Sequence, residues 1–132
     1  MNLCVGIDHL EISRIARAME NPRFLPRYFG AREQEYFAHK KFAPATVAAN
    51  FCAKEAFAKA LGTGVRGFAL REVELLREAN GRPYLAFLGK AAALVGESNL
   101  RFEVSVSHDR LYAIAQVIGY EGGASHADSH QR

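Results

Sequence analysis

Leu3-Cys4-Val5-Gly6-Ile7 is an unbroken apolar run that stops at Asp8, the pattern of a short buried strand. From Glu11 the apolar positions Ile12, Ile15, Ala16 and Met19 recur at helical spacing until Asn21-Pro22 breaks them. That helix puts Arg14 and Arg17 on its wet face. Two short helical pieces follow, around Phe24–Phe29 and Ala31–His39. A long helix opens near Pro44, since proline suits the first helical position, and ends before Gly62. Beyond it, Val73 and Leu75 alternate with Glu72 and Glu74. Tyr84–Phe87 resumes the strand pattern after a turn holding Asn80-Gly81, which is a hairpin signal. Lys90–Ser98 predicts a short helix. Phe102, Val104 and Val106 alternate with Arg101, Glu103 and Ser105, and Tyr112–Ile118 predicts a last strand after a tight turn around His108–Leu111. No segment repeats and no linker interrupts the pattern. The order predicts one α+β domain over 1–121, with a long central helix packed on a small antiparallel sheet, and a small, polar, disordered tail over 122–132.

Composition narrows the class. The chain has 132 residues, 49% hydrophobic and 23% charged, enough for one core without a disulfide or metal staple. Cys4 and Cys52 lie in apolar runs without metal-ligand spacing, and read as reduced thiols of a cytoplasmic protein. No apolar run is long enough to span a membrane, and the N-terminus lacks a signal-peptide pattern. The formal net charge of +3 is uneven: residues 1–70 carry ten Lys/Arg against six Asp/Glu, while residues 71–132 carry seven against eight. Arg14, Arg17, Arg23, Arg27, Arg32, Lys40 and Lys41 supply much of the excess. They suit either an ordinary solvated surface or an anionic partner.

The long helix holds the candidate chemistry. Its only charged residues are Lys54, Glu55 and Lys59. Thr46, Asn50 and Lys54 are spaced by four and form one polar stripe, most simply the solvent face. Glu55 and Lys59 lie roughly 100° or more around the helix from that stripe, with Phe51 one turn before Glu55. They read as an i,i+4 ion pair or as a functional pair that needs partners. Gly62-Thr63-Gly64-Val65-Arg66-Gly67 then reads as a helix cap and flexible turn, or as a loop that lets backbone N–H groups approach a phosphate beside Lys59 and Arg66. It is no P-loop, because its glycines follow the helix instead of opening it. Asp8 closes a strand, a position suited to a metal ligand, yet Asp8 and Glu11 also have capping-box spacing. Together Asp8 and Glu55 make a set suited to Mg²⁺, which takes one or two carboxylates plus phosphate and water. His108 at a turn reads as a surface residue or a ligand contact. No nucleophile elbow and no zinc-spaced His/Cys set occurs.

Four segments resemble one family in order: Gly6-Ile7-Asp8, the run from Phe51-Cys52-Ala53-Lys54-Glu55-Ala56 to Gly62-Thr63-Gly64, Asn80-Gly81-Arg82-Pro83-Tyr84, and Val104-Ser105-Val106-Ser107-His108. The chain resembles the holo-acyl-carrier-protein synthases, small phosphopantetheinyl transferases of bacterial fatty-acid synthesis, from Leu3 to about Ile118. The resemblance implies the phosphopantetheinyl transferase fold. It also implies transfer of the phosphopantetheine arm of coenzyme A to a serine of apo-acyl carrier protein, releasing adenosine 3',5'-bisphosphate. It makes Asp8 and Glu55 the Mg²⁺ ligands and puts Lys59 on the pyrophosphate; Glu55 and Lys59 are then the catalytic candidates, with Glu55 as base because the serine hydroxyl must lose its proton. Gly62, Thr63, Gly64, Arg82 and Pro83 would border the nucleotide, and His108 would reach the 3'-phosphate. Arg14, Arg17, Arg23 and Arg27 would meet the acidic carrier protein, and a homotrimer would place sites between subunits. Two positions depart from the family pattern: Asn50 stands where an Arg is usual, and Asp109 where a small hydroxyl residue is usual. Composition alone leaves a basic nucleic-acid-binding module or a non-catalytic nucleotide-binding protein as alternatives. The strand aromatics lie mostly in core phase, which disfavours nucleic acid, and no membrane partner is expected.

Overall fold

The computed structural model describes residues 3–62 and 64–122. Thr63 and the expected tail beyond Gly122 lie outside them. The elements are β1 (Leu3–Glu11), α1 (Ile12–Ala18), α2 (Phe24–Tyr28), α3 (Ala31–His39), α4 (Pro44–Leu61), β2 (Val73–Arg77) and β3 (Pro83–Phe87), then α5 (Gly89–Ser98), β4 (Leu100–His108) and β5 (Tyr112–Glu121). A 3₁₀ turn over Leu70–Glu72 leads into β2. The strands form a three-stranded antiparallel sheet, β1-β5-β4, and a separate β2-β3 hairpin. The helix α4 lies across the inner face of the larger sheet, so the α+β expectation holds. No helix among the described residues is long and apolar enough to cross a membrane.

Alternation in β5 divides that sheet into two faces. Ala113, Ala115 and Val117 point to α4 and are buried, while Tyr112, Ile114 and Ile118 point outward and stay exposed. The first strand is also one-sided: Leu3, Val5 and Ile7 are 50–61% exposed, so the run expected to be a buried strand carries an open apolar face. It continues to Glu11, pairing Asp8 with Ala115 and Glu11 with Tyr112. Asp8 is therefore a strand residue and not a helix cap. Glu11 occupies the cap of α1 and makes no side-chain cap hydrogen bond.

Small residues let the layers touch. A Cβ added at Gly6 would fall 2.0 Å from Ala56 O and 2.5 Å from Ala60 N, so β1 rests directly on the backbone of α4. Around this contact Phe57 meets Phe68, Phe87 and Phe102, with ring centroids 5.0–5.6 Å apart. These rings join α4 to both sheets.

The expected solvent face of α4 is wrong. Asn50 and Lys54 are both 0% exposed, and Thr46 is half-buried. Lys54 Nζ donates to Glu33, to Leu70 O at 3.2 Å and to Val73 O at 2.5 Å. Asn50 Nδ2 donates to Glu33 Oε2 at 2.9 Å and to Leu75 O at 3.0 Å. Glu74, which alternates with Val73 and Leu75 along the strand, is also buried, and accepts from Arg32 N, Arg32 Nε and Glu33 N. The hairpin and α3 cover this side of α4, and the stripe became interior once its charges found partners. Burial pushes the Glu33 carboxyl up and the Lys54 ammonium down, and each charge partly offsets the other's shift.

Candidate active site

Local contacts bring Asp8, Glu55 and Lys59 together. The close contact at Gly6 sets β1 against the last turns of α4, and the strand's alternation points Asp8 toward that helix. Lys59 Nζ donates to Asp8 Oδ1 at 3.1 Å and to Ile7 O at 3.0 Å. Lys59 is half-exposed and Asp8 largely shielded, with side-chain exposures of 55% and 18%. Glu55, one turn earlier on the same helix flank, is half-buried. Its carboxyl titrates above the usual carboxylate range, first because burial disfavours the charge, then because Asp8 is nearby, with Lys59 opposing.

An open cleft of about 320 Å³ exposes the two carboxylates, lined by Asp8, His9, Leu10, Arg14, Phe51 and Glu55 among others. The arrangement concentrates two negative charges where one ammonium only partly compensates them. Such a pair of hard oxygen ligands fits Mg²⁺, whose remaining positions go to phosphate and water. Among the described residues no group of three or more His, Cys, Asp or Glu could hold a metal alone. The Cys52 thiol is fully buried: burial first, then Asp8 and Glu55, push it up to about 12.

Other expected residues fall elsewhere. Gly62 ends α4 with φ +81°, and Gly64 has φ +64°, both in the left-handed region. An added Cβ at either would meet no other atom within 4 Å, so backbone conformation, and not crowding, selects glycine at these two positions. Arg66 is exposed beside them. Arg82 and Pro83 leave the hairpin turn, where Arg82 Nη2 reaches Glu103 Oε1 at 2.9 Å and Nη1 reaches Glu78 Oε2 at 3.8 Å. His108 is exposed at the end of β4, two strands from Asp8. Neither Arg82, Pro83 nor His108 lines the Asp8–Glu55 cleft. Arg14 does, whereas Arg17, Arg23 and Arg27 are exposed but do not line the cleft.

Both departures from the family pattern have structural reasons. Asn50 faces the interior, so position 50 contacts no phosphate in this chain. Asp109 turns into its hairpin, where its carboxylate accepts from Tyr112 N at 2.7 Å and Leu111 N at 2.8 Å. Those hydrogen bonds hold it below the usual carboxylate range. Sequence reasoning missed Gly6 as a packing determinant, missed Glu33 as the partner of Asn50 and Lys54 on α4, and missed Glu74 as the buried partner of α3. A signal was present: α4 is apolar nearly all round, which marks a helix enclosed on every side. A larger cavity of about 580 Å³ lies between β3, α5 and β4, but its lining holds no carboxylate or imidazole.

Comparison with known proteins agrees with this fold. Residues 4–116 match the 4'-phosphopantetheinyl transferase superfamily. A holo-[acyl-carrier-protein] synthase of Clostridium botulinum (strain Alaska E43 / Type E3) is 43% identical over 115 residues, covering 86% of this chain and 94% of that protein. One from Alkaliphilus metalliredigens is 41% identical over 116 residues, covering 86% and 95%. Among solved structures, the holo-[acyl-carrier-protein] synthase of Neisseria meningitidis superposes with TM-score 0.84 at 28% identity, covering 89% of this chain and 98% of that one. A coenzyme A complex from Chronobacterium ammoniagenes gives TM-score 0.81 at 26% identity, covering 93% and 100%. Sequence kinship and fold agree, and the chain belongs to the 4'-phosphopantetheinyl transferase superfamily.

Proposed function

We propose that this phosphopantetheinyl transferase moves the 4'-phosphopantetheine arm of coenzyme A to a serine hydroxyl of apo-acyl carrier protein, in the cytoplasm and in the service of fatty-acid synthesis. The observation that carries the reading is the meeting of Asp8 and Glu55 in one open cleft, with Lys59 paired to Asp8. It is supported by relatives named for this activity and by a related structure holding coenzyme A.

In the reaction the serine oxygen attacks the phosphorus that carries the pantetheine arm. The bond from that phosphorus to the bridging oxygen breaks, and adenosine 3',5'-bisphosphate leaves. Asp8 and Glu55 would hold Mg²⁺, which when bound supplies charge neutralisation for the pyrophosphate. Lys59 places its ammonium beside the leaving oxygen, released from Asp8 as the phosphate arrives. Glu55 takes the serine proton, directly or through a water. Gly62, Thr63, Gly64, Arg82 and Pro83 border the nucleotide, and His108 reaches the 3'-phosphate.

His108 and the hairpin turn lie outside the Asp8 cleft, which favours sites shared between subunits. The outer sheet face offers Leu3, Val5, Ile7, Tyr112, Ile114 and Ile118, all 37–61% exposed. An apolar face of this kind suits burial against further copies, and a homotrimer is the assembly we favour. Arg14, joined by Arg17, Arg23 and Arg27, supplies the positive surface for an acidic carrier protein.

Incubating the protein with coenzyme A, Mg²⁺ and apo-acyl carrier protein, then weighing the carrier, tests the reading. A gain of one phosphopantetheine that chelator abolishes is expected. No gain defeats it, and a gain indifferent to chelator defeats the Mg²⁺ assignment. Light scattering on the eluting protein should give three chain masses.

A further inference from the structure

Two contacts grip α4 on either side of Glu55. One is the backbone contact at Gly6, where β1 meets Ala56 and Ala60. The other is the buried ammonium of Lys54, whose three donors go to Glu33, Leu70 O and Val73 O. Glu33 also accepts from Gly30 N at 3.0 Å, Asn50 Nδ2 at 2.9 Å and Leu75 N at 3.1 Å. The start of α3, the 3₁₀ turn, β2 and α4 therefore meet at one ion pair.

We propose that Lys54, clamped by Glu33, is a positioning residue that fixes the rotational setting of α4, and with it the direction in which Glu55 and Lys59 project toward Asp8. The inference rests on the reading of Asp8 and Glu55 as the metal-binding pair. Successive side chains on a helix are about 100° apart, so any rotation that carries Lys54 out of its clamp swings Glu55 by the same angle. Burial alone does not explain a lysine here. Ala53, Ala56 and Ala58 fill neighbouring interior positions of the same helix. Well-packed apolar residues in place of a buried pair are often as stable or more so. What the pair adds is direction: charged hydrogen bonds admit one register, whereas apolar contacts admit several. Asn50 shows the same priority. Its Nδ2 serves Glu33 and Leu75 O, while its Oδ1 is left buried with no partner among the described residues.

Two variants test this. Glu33→Gln/Lys54→Met removes both charges yet keeps an amide oxygen for Leu75 N. Glu33→Asp keeps the charge and withdraws it from Lys54 by one methylene. Each is compared with the parent for cooperative melting, for kcat, for the KM of carrier protein, and for half-saturation by Mg²⁺. The Mg²⁺-induced rise in Tm with adenosine 3',5'-bisphosphate is measured separately, without carrier. A folded variant should lose about tenfold in kcat, need about tenfold more Mg²⁺ and keep its KM for carrier protein, as expected for a misplaced ligand. A folded variant with kcat and Mg²⁺ half-saturation within about twofold of the parent overturns the proposal, since misplacement costs far more. So does loss of cooperative melting in both variants, which makes the clamp purely structural. If the parent transfers nothing, the functional reading fails by itself. A weakened Mg²⁺-induced Tm shift in the variants would still support the positioning role.

Discussion

Lys54 and Lys59 stand five residues apart on one helix and do opposite things. Lys54 is sealed in the interior with every donor used, against Glu33 and two carbonyls. Lys59 lies half in water, with Asp8 and Ile7 O as its partners. Around Lys54 the charges balance and the neighbours are backbone groups that cannot leave. Around Lys59 two carboxylates share one ammonium, and an open cleft lies beside them. A saturated polar cluster holds a fold in register, while an under-compensated and accessible one is ready to bind a cation and a phosphate.

Replacing each lysine separates the two roles. Lys54→Ala should destabilise the protein by about 3–5 kcal/mol in a urea titration, because the buried Glu33 carboxylate loses its counter-charge. Lys59→Ala should cost less than about 1 kcal/mol, since its ion pair is half-exposed. It should nonetheless lower the transfer rate by about a hundredfold or more, through lost stabilisation of the leaving phosphate. Equal stability losses for the two would erase the distinction.

Glu55→Gln sharpens the open side. Transfer at saturating Mg²⁺ should fall by about a hundredfold or more if Glu55 accepts the serine proton. Full activity in this variant removes Glu55 as the base. Arg14→Glu, beside the same cleft, should raise the KM for carrier protein about tenfold at low salt, with the difference shrinking as salt is added. An unchanged KM at low salt ends the docking assignment.

The smallest effect concerns stability and pH. Glu55 binds its proton more tightly in the folded than in the unfolded state. Stability therefore falls as pH rises through the interval between its unfolded and folded values, and the ionised carboxylate remains a burden above it. Without metal, Glu55→Gln should be the more stable protein at neutral pH, with a higher midpoint in a melting curve, as is common where function strains a site. The advantage should vanish in acid and shrink when Mg²⁺ and nucleotide are added. Identical melting curves across pH would place Glu55 in an environment like water.

Local patterns located most of the architecture. Pro44 and Gly62 mark the ends of α4, Asn80-Gly81 marks the hairpin, and the alternation at 101–106 marks β4. Each is a property of a few neighbouring residues, so each can be read along the chain. The ordered motifs likewise identified Asp8, Glu55 and Lys59 as candidates before any geometry was known. The direction in which the polar residues of α4 face could not be read this way. A stripe of Thr46, Asn50 and Lys54 has the same periodicity whether water or Glu33 lies opposite. The partners are 17 and 21 residues distant for Asn50 and Lys54. The same holds for Asp8, whose meeting with Lys59 spans 51 residues and depends on the missing side chain of Gly6. The sequence determined which elements form and which chemistry they carry. Tertiary structure alone decided which charges are enclosed and which remain open, because burial is a property of what packs opposite.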